Sequence, residues 1–121
     1  MAVKEVKVGL IGFGTVGAGV ASCLLDHGEV IARRTGIRPV LARVADLDLT
    51  RDRGVQLPPG LLTRDGMSLI DEVDVVVELV GGTSAAKDFV LTALARGKPV
   101  VTANKALLAE YGTEIFAAAE K

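Results

Sequence analysis

A short apolar run at residues 6–11 stops at Gly12, and three glycines then fall within six residues, as Gly12-Phe13-Gly14-Thr15-Val16-Gly17. Beyond the turn, Val16, Val20, Cys23 and Leu24 recur at helical spacing. A strand that runs into a glycine turn and out into a helix gives each glycine a separate task. Gly12 permits the tight turn, Gly14 lets backbone N–H groups approach a pyrophosphate with no Cβ in the way, and Gly17 lets the helix lie close on the strand. The partial positive charge at the helix N-terminus favours the same anion. A glycine turn that merely packs tightly is the alternative, and the flanking strand and helix count against it.

The rest of the chain repeats the alternation. His27-Gly28 marks a helix stop, with a further turn or two over residues 29–35 before Gly36, and residues 40–45 read as a second strand. Residues 46–66 are polar, broken by Pro58-Pro59-Gly60, and read as a surface connection with room for one short helix. Then come a Val/Leu strand at 74–80, a helix at 84–96 ending at Gly97, a strand at 99–102 and a helix at 104–120. Strands alternating with helices predict an α/β fold: a Rossmann-type parallel sheet with helices on both faces, in three layers. Composition agrees, because half of the residues are hydrophobic but only 3% aromatic, so the core must be aliphatic, as in a buried parallel sheet. At 121 residues this is one domain, and the helix-forming end at 117–121, with no Gly or Pro stop, reads as a cut within a longer protein.

Charge and cysteine usage narrow the partners. Fourteen basic residues against fifteen acidic ones give a net charge of -1, which offers no general attraction to nucleic acid or to an anionic membrane. Small molecules or proteins are the expected partners. The single cysteine, Cys23, excludes an internal disulfide and a multi-cysteine metal site, and cytoplasm is the default setting. Lys4 and Lys7 ahead of an apolar stretch ending in Val20-Ala21-Ser22-Cys23 imitate a lipoprotein cleavage box, but Gly9, Gly12, Gly14, Gly17 and Gly19 break the apolar segment such a signal needs.

The second part of a dinucleotide site is an acid at the end of the second strand, where it can take the adenosine ribose hydroxyls, and Asp46 stands there. It lies 29 residues past Gly17, against a usual spacing of about 20, an excess that extra helical turns at 29–35 would absorb. An acid at this point favours NAD over NADP, whose 2'-phosphate it would repel, although Arg43, Arg51 and Arg53 are near enough in sequence to accommodate one. Asp46-Leu47-Asp48-Leu49-Thr50 also fits the DxDxT pattern of haloacid-dehalogenase-type phosphatases, with Lys105 as a candidate lysine. Against that reading, Asp71 and Asp74 flank the start of a strand rather than its active end, and Asp48 reads more simply as a solvated loop acid.

Three ordered motifs, GFGTVG at 12–17, ELVGG at 78–82 and TANKALL at 102–108, resemble the N-terminal part of homoserine dehydrogenase over essentially the whole chain. That resemblance implies hydride transfer with NAD or NADP, interconverting homoserine and aspartate semialdehyde in amino-acid biosynthesis. It further implies that Thr15 and Val16 join Gly12, Phe13, Gly14 and Gly17 in holding the cofactor, that Gly81, Gly82 and Thr83 lie along its ribose and nicotinamide side, and that Asn104 and Lys105 reach the reacting end. A substrate domain and a dimer or tetramer would belong to the full-length enzyme. The chain alone should bind cofactor without turnover.

Lys105 is also the residue to single out on physical grounds. It stands in the first turn of a helix, where the dipole disfavours a cation, so it can exchange a proton with a substrate oxygen as hydride moves. Glu78, near a strand end, is expected to face solvent or an ion-pair partner, His27 to sit at a helix end, and Cys23 to be a small core residue. A non-catalytic NAD(H)-sensing module and a related semialdehyde or amino-acid dehydrogenase are the competing readings; the motif around Lys105 argues against the first.

Overall fold

In the computed structural model, which describes residues 3–49, 54–55, 57–80 and 84–120, strands and helices alternate. The order is β1 (Lys4–Ile11), α1 (Thr15–Thr35), β2 (Ile37–Ala45), β3 (Leu62–Thr63), α2 (Gly66–Glu72), β4 (Val75–Glu78), α3 (Ser84–Ala95), β5 (Val100–Thr102) and α4 (Lys105–Ala119). All pairings are parallel, and the strands lie side by side as β3-β2-β1-β4-β5. Successive side chains of β1 enter different cores. Leu10 meets Ala18 and Ala21 of α1, with Leu41 and Val44 of β2, on one face. Ile11 meets Leu69 and Ile70 of α2, Val76 of β4 and Ala93 of α3 on the other. α4 packs on α3 through Ala86, Val90, Leu107 and Ile115. The expected α/β architecture with helices on both faces is what forms.

Three expectations need correction. α1 does not stop at Gly28 but runs 21 residues to Gly36, which takes φ +77 and donates its N–H to Ala32 O at 2.9 Å. A glycine within a helix costs only about 1 kcal/mol, too little to end one that Glu29, Ala32, Arg33 and Arg34 carry on to the left-handed stop at Gly36. His27 is therefore an exposed residue inside the helix, not at its end. The buried face of α1 is also made of smaller residues than its apolar spacing suggests: Gly17, Ala18, Ala21 and Ala32 lie against the sheet, whereas Val16 and Cys23 are exposed. Small side chains let helix and sheet approach closely, which a face of valines would prevent.

The third correction concerns the polar connection. Its end pairs with β2 as β3, and α2 follows at once, with its start capped by Asp65, whose side chain accepts the Ser68 N–H at 3.0 Å. Leu69, Ile70 and Val73 are essentially fully buried. Room for them comes from Gly9 on β1, where a Cβ would lie 2.5 Å from Leu69 Cδ2 and 2.8 Å from Val73 Cγ2.

Candidate functional site

The strand ends are level. Thr63, Ala45, Ile11, Glu78 and Thr102 are neighbours in register across all five strands, so Arg64, Asp46, Gly12, Leu79 and Ala103 all leave the sheet along one edge. The chain leaves β1 toward β2 on one side and returns to β4 on the other, which opens a crevice above Ile11 and Glu78. Asp74 lies at the opposite edge, where it accepts the Lys7 N–H at 2.8 Å, and Asp71 is paired with Arg96. Neither Asp71 nor Asp74, the acids considered for a phosphatase, therefore stands beside Asp46.

Backbone bonds fix the glycine turn from both sides: Gly12 N donates to Ala45 O and Leu79 N donates to Ile11 O, each at 2.8 Å. Gly12 has φ +102, and a Cβ on it would lie 2.7 Å from the Leu79 carbonyl carbon. A Cβ on Gly17 would lie 2.2 Å from Gly12 O, so the first turn of α1 rests directly on the glycine turn. Gly14 is different. It is the extended N-cap of α1, it has no side-chain cap bond, and a Cβ on it would meet nothing within 4 Å. The helix thus presents uncapped first-turn N–H groups beside open space, the arrangement that a pyrophosphate needs. Thr15 and Val16 are exposed beside it, while the Phe13 ring is buried under α1, so Phe13 offers the site its backbone.

Asp46 stands where the sequence places it, at the end of β2, and it also braces the turn. One carboxylate oxygen accepts the Phe13 N–H at 2.8 Å and the other accepts the Asp48 N–H at 2.9 Å. Together with Gly12, Gly14, Arg64, Val80 and Phe89 it lines a cleft of about 410 Å³. Arg64 is a residue that sequence reasoning missed; the apolar Leu61-Leu62 before it was the available signal for a strand end. Arg43, considered for a 2'-phosphate, is instead turned to Glu72 at 3.1 Å and to the Gly60 carbonyl. Arg51 and Arg53 lie outside the described residues.

At the β4 and β5 ends a second cluster forms. Glu78 is completely buried rather than facing solvent; its carboxylate accepts the Thr102 hydroxyl at 2.6 Å and the Val80 N–H at 2.7 Å. An acid inside a run of valines was the sequence signal for this burial. Asn104 caps α4 by accepting the Leu107 N–H at 3.0 Å and donates to Val80 O at 3.2 Å, which ties this cluster to the cleft wall. Lys105, the first residue of α4, is exposed. Neither Asn104 nor Lys105 lines the cleft itself; they flank it at the next strand end. Gly81, Gly82 and Thr83 lie outside the described residues.

The family described as homoserine dehydrogenase, NAD binding domain, matches residues 12–121. The chain belongs to that family. It is 48% identical over 120 residues to a homoserine dehydrogenase of Neisseria gonorrhoeae, a match covering 98% of the chain and 27% of the relative. A homoserine dehydrogenase of Bacillus subtilis is 41% identical over 120 residues, covering 98% and 28%. The crystal structure of a homoserine dehydrogenase from Thiobacillus denitrificans superposes with a TM-score of 0.87 at 44% identity, covering 98% of the chain and 28% of that structure. The chain therefore spans 27% and 28% of the length of the two curated relatives. Among the described residues no helix is long and apolar enough to cross a membrane.

Proposed function

We propose that the chain is the cofactor-holding domain of an enzyme that interconverts L-homoserine and L-aspartate 4-semialdehyde with NAD or NADP. The observation that carries this is 48% identity to a homoserine dehydrogenase over nearly the whole chain, in a fold whose glycine turn opens on the cleft. Gly14 and the first turn of α1 hold the pyrophosphate, with Gly12, Phe13, Thr15, Val16 and Gly17 shaping that grip. Asp46 takes the adenosine ribose hydroxyls, which favours NAD, and Arg64 in the same cleft is a cation available to a 2'-phosphate among the described residues. The family resemblance assigns Gly81, Gly82 and Thr83, outside the described residues, to the ribose and nicotinamide side of the cofactor. When bound, the nicotinamide supplies the hydride acceptor and donor.

Asn104 and Lys105 serve the reacting end. Exposed at the N-terminus of α4, Lys105 has no neighbour holding its ammonium among the ion pairs of the described residues. It can give a proton to, or take one from, the substrate oxygen at Nζ. The substrate pocket belongs to a part of the enzyme outside this chain, and the full-length protein works as a homodimer or tetramer in the cytoplasm. The chain alone binds cofactor and does not turn over. The test is an assay of the full-length protein with homoserine and aspartate semialdehyde, using either nicotinamide cofactor. Turnover is expected, with Lys105→Ala lowering kcat about 100-fold or more; no rate with either substrate and either cofactor would overturn the reading.

A further inference from the structure

We propose that Glu78 is a positioning residue for Lys105, acting through Thr102 and Asn104 to fix where α4 begins; this rests on the role given to Lys105 above. A carboxylate with no exposed surface is costly unless its oxygens are bonded, and both are. The bonds form a closed circuit. Thr102 gives its only hydroxyl proton to Glu78 and so has lone pairs left to accept the Asn104 N–H at 3.1 Å. The Asn104 side chain donates to Val80 O, and Val80 N–H returns to Glu78. Four residues at the ends of two adjacent strands are thereby held in one arrangement, and Asn104, the cap of α4, is one of them.

Packing does not ask for a carboxylate here. Residues 75–77 of the same strand are all valine, and a buried charged or polar set can often be replaced by apolar side chains with no loss of stability. What the carboxylate contributes is direction. An ionised Glu only accepts, so the Thr102 proton points inward and the Asn104 N–H is captured on the other side. A glutamine would offer one oxygen and one NH2 group to two donors, and the circuit could not close in the same sense. The residue that follows the circuit directly is Lys105, whose Nζ must stand within hydrogen-bond reach of a reacting oxygen.

In the full-length enzyme, Glu78→Gln is expected to lower kcat about tenfold or more, with the KM for the nicotinamide cofactor changed by less than about twofold. Thr102→Val should behave alike, and Thr102→Ser, which keeps the hydroxyl, should stay within about twofold of the parent. Because Glu78 acts through Lys105, adding Glu78→Gln to Lys105→Ala should lower kcat no further. In the 121-residue chain, Glu78→Gln should speed amide exchange at Asn104 and Leu107 and leave Leu10 in β1 unchanged. Full kcat in Glu78→Gln, or losses that multiply in the double variant, would overturn the proposal. If Glu78→Gln does not fold, Thr102→Val decides, and the parent kcat there overturns it. A Lys105→Ala enzyme with full kcat would instead overturn the role of Lys105, and this proposal with it.

Discussion

Gly14 and Gly17 stand three residues apart, and a methyl group at each meets opposite surroundings. At Gly17 it would lie 2.2 Å from the carbonyl oxygen of Gly12, a backbone atom held by the bond from Gly12 N to Ala45 O. Neither side can yield cheaply, so Gly17→Ala is expected to destabilise the domain by about 3 kcal/mol, read as a lower urea midpoint. At Gly14 it would enter open space and leave stability nearly unchanged. The sequence pattern alone suggests this division, because the three glycines sit between a strand and a helix. The second task of Asp46 was not legible. Its position at a strand end is a matter of counting, but its bonds to Phe13 N–H and Asp48 N–H depend on how the turn folds over β2. Glu78 was misjudged because an acid near a strand end usually finds water, whereas here Thr102 and Val80 answer both oxygens.

Element boundaries follow how strongly local chemistry punctuates the chain. β1, α3, β5 and α4 lie within a few residues of their expected ends, since Gly12, Gly97, Pro99 or Asn104 marks at least one end of each. Gly28 misled only as a stop: the turns expected over residues 29–35 continue α1 without a break as far as Thr35. A Cβ on Gly28 would meet only Pro39 O at 3.5 Å, an ordinary contact, so Gly28→Ala should raise stability by about 0.5–1 kcal/mol, seen as a higher Tm. A lower Tm would mean that the helix needs its glycine. β3 and α2 escaped for a different reason. Two residues of strand and seven of helix are too short to display a period, and their stability comes from burying Leu69, Ile70 and Val73 against β1. With β3 unseen, Arg64 could not be placed at the sheet edge either.

Across the whole molecule, sheet order is what turns separate motifs into a site. The alternation of strands and helices indicates a parallel sheet, but nothing local says that β1 is central or that β4 lies beside it rather than beside β3. Long-range pairing makes that choice, and it sets Ile11 level with both Ala45 and Glu78, so that a glycine turn, an acid 29 residues beyond its last glycine and the α4 cap share one edge. The central claim is that this edge grips a nicotinamide dinucleotide at Gly14. Calorimetric titration of NADH into the chain and into Gly14→Val tests it most directly. Saturable binding by the parent is expected, with affinity at least about tenfold lower in a Gly14→Val variant that remains folded; equal affinity in the two would contradict the account.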